Sequence, residues 1–404
     1  MPHLWRNLTA LQVAVLAFVN FSFLFANNTD SKVSTTPAEP YHLNLPKNPF
    51  DYEGVMVPES AKQFDLQGTT HEITNLGATL GRVLFYDKRL SVNGSVSCGT
   101  CHRQEFAFSD SRSKSIGFNG KEGIRNSMSL VNLRFNPTGK FFWDQRATSL
   151  EQQVLMPIVD PNEMGHSITG VRKTLSRDPT YLRLFSEAYG DQSISAERIA
   201  NALAQFLRSM VSFHSKYDVG ISMVRDVRLP FPNFTDEENL GKTQFFGRGR
   251  CAECHLPQLH GNHRDQPQFA VFQLQEPVVN GIDIDEPGRD QGVGMVTGET
   301  RDIGSFRVSS LRNIELTAPY MHDGRFQTLD QVIEHYNWSV KPHPNLDSRL
   351  EDFSANGMAL PEVEKVALAA FLKTLTDYEF IKDPKFSDPF VRNENVIAGS
   401  APND

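Results

Sequence analysis

Two short runs concentrate the chemistry of this sequence. Cys98-Gly99-Thr100-Cys101-His102 and Cys251-Ala252-Glu253-Cys254-His255 share the spacing C-x-x-C-H. Two cysteines three apart can each form a thioether to one of the two vinyl groups of a haem, and the adjacent histidine then falls beneath the iron as its proximal ligand. The two runs use all four cysteines of the chain. A zinc site would draw four cysteines, or two cysteines and two histidines, from paired motifs. A redox dithiol has no need of the histidine that follows. The spacing therefore predicts two covalently bound c-type haems, with Cys98, Cys101, Cys251 and Cys254 as attachment points and His102 and His255 as iron ligands.

Each run needs a scaffold, and the sequence places a helix before both. Residues 76–85 carry apolar side chains four apart. Thr235-Asp-Glu-Glu238 is a capping box that opens a second helix. Further helical patterns lie at 196–213 and 361–375. Arg228-Leu-Pro-Phe-Pro232-Asn reads as a join between two units. Strand-like alternation is scarce, and much of 256–310 is Gly-, Pro- and Asp-rich loop. The expected fold is mainly α, with two cytochrome c-like haem domains and long irregular loops. Residues 48–228 form the N-terminal haem domain and 229–404 the C-terminal one. The acidic run Asp283-Ile-Asp285-Glu286 lacks calcium-loop spacing and reads as a solvated loop.

The 404 residues are 39% hydrophobic and 22% charged, which suits a globular protein and excludes a polytopic membrane protein. A net charge of −8 argues against a nucleic-acid partner. Residues 1–26 hold a basic start and an uncharged, mostly apolar run from Leu8 to Ala26. They read as a signal for export to the periplasm, or as an uncleaved anchor to the inner membrane, the only membrane contact expected. Residues 27–47 read as a polar tether.

Several further motifs stand in a fixed order: Gly123-Ile-Arg125-Asn126-Ser127, Phe142-Trp143-Asp144-Gln145-Arg146, Leu150-Glu-Gln-Gln153, Glu163-Met164-Gly165, Ser310-Leu-Arg-Asn313 and Pro319-Tyr-Met-His322-Asp-Gly324. With the two C-x-x-C-H runs, they make the chain from about 73 to 377 resemble the bacterial di-haem cytochrome c peroxidases, and within them the MauG-like group. The resemblance implies a peroxide site at the N-terminal haem and an electron-relaying C-terminal haem. Two positions depart from the standard peroxidases. Those enzymes carry a distal histidine after a Ser-Ile-Gly run; here Ser115-Ile116-Gly117 leads to Phe118, which cannot ligate iron. His166 and His214 are the nearest imidazoles in sequence, and nothing in their context makes either a substitute. The standard axial methionine, fourteen residues after the Pro-Tyr-x-His histidine, is replaced by Tyr336. Thr328-Leu-Asp-Gln331 is a capping box, and Leu329, Val332, Ile333 and Tyr336 share one face of the helix it starts. His335 falls on a more polar face, and Met321 and Met295 are weaker candidates.

The resemblance also implies Glu163 as the proton-shuttling distal acid, Gln153 as the distal amide, Pro157 crowding the distal side and Trp143 between the haems. Thr148-Ser-Leu-Glu151 is a capping box for a helix with Leu150, Gln153, Val154 and Pro157 on one face. Asn126 matches a side-chain calcium ligand, with Thr317 and Pro319 supplying carbonyl oxygens. The activity implied is reduction of hydrogen peroxide with electrons from a small redox protein, or peroxide-dependent oxidation of a partner protein. The competing reading is a di-haem electron carrier without peroxidase activity. A carrier would keep both irons six-coordinate and would need no distal acid.

Overall fold

A computed structural model describes residues 42–62, 64–65, 72–136, 138–224, 226–256, 272–273, 276–283 and 288–391. The proposed signal, most of the tether and part of the 283–286 run lie outside the described residues. Those residues are mainly helical; their only paired strands are His42–Leu43 and Phe390–Val391, joined antiparallel. No described helix is long and apolar enough to cross a membrane.

Six helices position the chemistry: α1 (Asn75–Tyr86), α2 (Leu150–Val159), α3 (Ala196–Arg208), α4 (Asp236–Phe246), α5 (Leu329–Trp338) and α6 (Glu362–Lys373). α1 starts where the Thr74 side chain accepts from the Gly77 N–H, satisfying a donor that the first turn would leave unpaired. The capping box at Thr235 starts α4 as the sequence predicts. α3 stops at Arg208 and α6 at Lys373, a few residues short of the predicted spans.

The same crossing occurs twice. A Cβ on Gly81 of α1 would lie 1.9 Å from the Ala202 carbonyl oxygen and 2.8 Å from Phe206 Cβ of α3. A Cβ on Gly241 of α4 would lie 1.8 Å from the Ala367 carbonyl oxygen and 2.9 Å from Phe371 Cβ of α6. Only a residue without a side chain permits backbones this close. Around the first crossing a core gathers Leu80, Phe85, Phe108 and Phe206; around the second, Phe245, Leu368, Phe371 and Phe272. The C-terminal stretch returns to the first core, where Phe380 and Phe386 are buried. Tyr52 and Tyr86 hydroxyls donate to the Lys385 and Phe386 carbonyls at 2.7 and 2.6 Å.

Candidate functional site

Each C-x-x-C-H run opens on its own cavity. The first, of about 1340 Å³, has Cys98, Cys101 and His102 on one wall. The second, of about 1250 Å³, has Cys251, Cys254 and His255. Among the described residues no three His, Cys, Asp or Glu side chains gather into a metal-binding cluster, so the two runs do not pool their thiols and imidazoles as zinc would require. Burial pushes the Cys98 and Cys251 thiols up to about 12 and those of Cys101 and Cys254 up to about 11. A redox dithiol needs a depressed thiol pKa, so these four are poorly suited to that role.

In the first cavity the proximal wall is built by local backbone geometry. Ala107 and Phe108 both take positive φ, and Arg103 bridges Ser109 across the turn. The turn brings the Phe108 carbonyl to 2.8 Å from His102 Nδ1. That bond fixes the ring and leaves Nε2 free to act as a metal ligand. α2 and the loop after it contribute Gln153, Val154, Pro157, Asn162, Glu163 and Met164 to the lining of the same cavity. The N-cap of α2 is Ser149, accepting from Gln152, rather than the predicted Thr148; Thr148 instead donates its N–H to Gln152 Oε1 at 2.8 Å. The one-residue shift leaves the predicted face intact. Gln153 Oε1 is buried without a hydrogen-bond partner, an acceptor that a molecule in the cavity would satisfy. Burial, with help from the Asp160 charge, raises the Glu163 carboxyl to about 7, against the pull of Arg146. Such a group can both take and return a proton near neutrality.

In the second cavity Leu329, Val332, Ile333 and Tyr336 line one wall, as the predicted face of α5 requires, and the Thr328–Gln331 capping box is present. Tyr336 is partly buried; loss of solvent around its hydroxyl raises the pKa, and the Asn280 side chain hydrogen-bonds it and opposes that rise. Asn280 Oδ1 accepts from the Ile282 N–H at 3.3 Å, so Nδ2 is the end facing Tyr336 and the Met321 sulfur, 3.5 Å away. Burial lowers His255 to about 4 and so keeps its imidazole neutral, as a metal ligand must be. His335 is buried, not on a polar face as expected, because its Nε2 reaches the Asn280 carbonyl at 3.1 Å. It is not among the described residues lining the cavity, whereas Met321 is. Met295 is 69% exposed.

Trp143 lines both cavities. The Phe141–Ala147 bridge closes the turn that carries it, its Nε1 donates to the Asn126 carbonyl at 2.8 Å, and its carbonyl accepts from the Arg307 N–H at 2.9 Å. Arg307 lines both cavities too, and burial lowers its guanidinium to about 10. Sequence reading missed Arg307 and Asn280. A cation inside the apolar run Phe306-Arg307-Val308 was the signal available for the first; nothing in the sequence marks the second. Asn126, Thr317 and Pro319 meet at a third cavity of about 610 Å³, beside Ser127, Ser129 and Ser309. Asn126 Nδ2 donates to the Arg112 and Ser113 carbonyls at 3.2 and 3.3 Å, so its oxygen is the end suited to a cation. His166 and His214 are not among the described residues lining either of the first two cavities, and the His214 side chain is 60% exposed.

Comparison with known proteins agrees with this geometry. Residues 75–223 match the family described as di-haem cytochrome c peroxidase. The chain is 30% identical over 348 residues to the cytochrome c551 peroxidase of Nitrosomonas europaea, covering 86% of this chain and 92% of that protein. It is 32% identical over 304 residues to the methylamine utilization protein MauG of Methylorubrum extorquens, covering 73% of this chain and 77% of that one. A solved structure of a MauG-like protein associated with microbial copper homeostasis superposes with a TM-score of 0.67 at 34% identity, over 80% of this chain and 95% of the other. The diheme peroxidase BthA from Burkholderia thailandensis shares the fold, with a TM-score of 0.65 at 21% identity over 87% of this chain and 99% of BthA. The chain belongs to the di-haem cytochrome c peroxidase family.

Proposed function

We propose that the protein is a c-type di-haem oxidoreductase that uses hydrogen peroxide, with the peroxide site in the first cavity. Cys98 and Cys101, and Cys251 and Cys254, are the attachment points, and His102 and His255 the proximal ligands, in two haem domains that divide near residue 228. The observation that carries the reading is that a carboxyl with a pKa near 7 and an amide with an unpartnered buried oxygen line the same cavity as His102. An electron carrier has no use for either group. The haem supplies the redox chemistry when bound. The chain's own task is the proton: Glu163 takes it from the inner peroxide oxygen and returns it to the outer one, while Gln153 Oε1 accepts a hydrogen bond that orients the peroxide.

Tyr336 is the ligand proposed for the second haem, with its oxygen oriented by Asn280. An anionic oxygen ligand favours oxidised iron, and this supports the MauG-like form of the activity, oxidation of a partner protein, alongside turnover with a small redox donor. Trp143 lies where a relay between the cavities would sit. Asn126, Thr317 and Pro319 are proposed to hold Ca²⁺, a hard cation that accepts carbonyl oxygens and water. The N-terminal segment directs the protein to the periplasm. Peroxide titration of the fully oxidised protein, followed by electron paramagnetic resonance, tests the reading. A high-spin signal from one haem that is consumed by peroxide is expected; two low-spin signals indifferent to peroxide would leave an electron carrier.

A further inference from the structure

Phe118 does more than fail to bind iron. Among the described residues lining the first cavity are Ile116 and Gly117, but not Phe118. Its ring is turned onto the loop that carries Glu163: a Cβ on Gly165 would lie 2.2 Å from Phe118 Cε1. Gly165 takes φ +61°, so both backbone and space demand glycine there.

The backbone repeats the attachment. Residues 115–123 form a narrow hairpin, closed by the Ile116–Glu122 bridge and by the Gly117 and Gly123 N–H groups donating to the Lys121 and Ser115 carbonyls at 2.9 Å. From this hairpin the Phe118 N–H donates to the Glu163 carbonyl at 2.8 Å, and Asn119 Nδ2 to the Pro161 carbonyl at 3.1 Å. A Cβ on Gly117 would lie 1.8 Å from the Asn162 carbonyl oxygen, so the two segments are in backbone contact. Asn93 Nδ2 holds the Phe118 carbonyl at 3.0 Å, and the Val92 N–H holds the Met164 carbonyl at 2.9 Å. On its other side the loop is tied to α2, with the Gly165 N–H donating to the Asp160 carbonyl at 2.9 Å and the His166 N–H to the Ile158 carbonyl at 2.8 Å.

We infer that the 115–123 hairpin is a lock on the 160–165 loop, and that Phe118 and Gly165 are positioning residues that hold Glu163 facing the cavity and hold residue 118 out of it. The inference rests on the proposed peroxide site and adds the device that keeps it assembled. The side chain at 118 is directed by the hydrogen bonds on either side of it, not by its own affinity for iron. The fully oxidised protein is then ready for peroxide with no loop movement.

The sharpest test is Phe118→His, which restores the histidine of the standard peroxidases at a position where the lock turns it away. Electron paramagnetic resonance of the fully oxidised variant should show the first haem still high-spin, and peroxide should react without prior reduction. A low-spin first haem that reacts only after one-electron reduction would overturn the lock. Phe118→Ala removes the ring from Gly165. It should keep both haems by mass and keep the first haem high-spin, yet slow the peroxide reaction at least tenfold. Its pH midpoint should move down from near 7 as water reaches the carboxyl, which faces Asp160 on its own loop and Arg146 from the 141–147 turn. Phe118→Leu should restore most of the rate. An unchanged rate and midpoint in Phe118→Ala would also overturn the inference. Should Phe118→Ala lose haem, Phe118→His decides alone. The spin state is read without peroxide, so a wild type inert to peroxide would remove the proposed function and leave the lock to be judged separately.

Discussion

The two halves of the molecule are one design with two outcomes. The run Phe141–Ala147 leads into α2 as Tyr320–Phe326 leads into α5, and each position of the second run follows its counterpart by 179 residues (141 and 320, 157 and 336). Both runs close on an isolated bridge, both place a non-glycine residue at positive φ (Phe142 and Met321), and both end at a hydroxyl N-cap, Ser149 or Thr328. In this register Trp143 corresponds to His322, Asp144 to Asp323, Arg146 to Arg325, Gln153 to Val332 and Pro157 to Tyr336. The shared parts are the helix crossing, the C-x-x-C-H wall and the turn. The differences fall on the helix that follows the turn, α2 or α5, where it lines the cavity. Proline offers no donor atom to iron where tyrosine offers an oxygen. The amide of the first half has a hydrocarbon counterpart, Val332, and no carboxylate is among the described residues that line the second cavity. Repeated backbone builds two cavities of similar size, and a few side chains give them different chemistry.

Removing the shared wall should have the largest effect. Cys98→Ser or Cys251→Ser should each cost one covalent haem, read as a mass loss of one haem with the other half still loaded. Loss of both haems from either variant would mean that the halves do not assemble independently.

The next effect separates the halves. Glu163→Gln should keep both haems and slow peroxide cleavage by roughly 10²–10⁴-fold, the usual worth of a positioned proton carrier. In the proposed mechanism the working form of Glu163 is the carboxylate, which is present above its raised pKa. The peroxide rate should therefore fall as pH drops through about 7, and Glu163→Gln should flatten that profile. An unchanged rate would remove Glu163 from the chemistry.

A reciprocal pair tests the correspondence of residues 157 and 336. Tyr336→Met should raise the potential of the second haem, because a neutral thioether favours reduced iron, and should leave the first haem high-spin. Pro157→Tyr should place an oxygen in the first cavity and convert its haem toward six-coordination, seen as loss of the high-spin signal. Retention of that signal would mean that the walls are not equivalent.

The smallest effect concerns the scaffold. Gly241→Ala sets a methyl group 1.8 Å from the Ala367 carbonyl oxygen, and Gly81→Ala one 1.9 Å from that of Ala202. Each should cost about 1–3 kcal/mol, the usual range for forced overpacking, measured as a fall in Tm. Similar losses would support equivalent crossings; a loss confined to one would not.

Much of the site was legible in the sequence, because its signals are local. Attachment of haem needs two thiols and an imidazole within five residues, so the motif is complete in the chain. The faces of α2 and α5 follow from helical periodicity and a capping hydroxyl, and a one-residue error in the cap of α2 did not move the face. Tertiary structure decided what depends on segments far apart. Asn280 reaches Tyr336 from 56 positions away in sequence, and Arg307 stands between the cavities only because its backbone pairs with Trp143. His335 reads as polar from its helix alone, and it is buried because the Asn280 carbonyl meets it. Phe118 was legible as a residue that cannot bind iron. That its ring is turned onto Gly165 is set by hydrogen bonds from Asn93 and to Glu163, contacts that exist only once the hairpin and the acid loop have been brought together. Side-chain chemistry and its short-range spacing are properties of the chain, whereas burial, orientation and partner are properties of what packs against it.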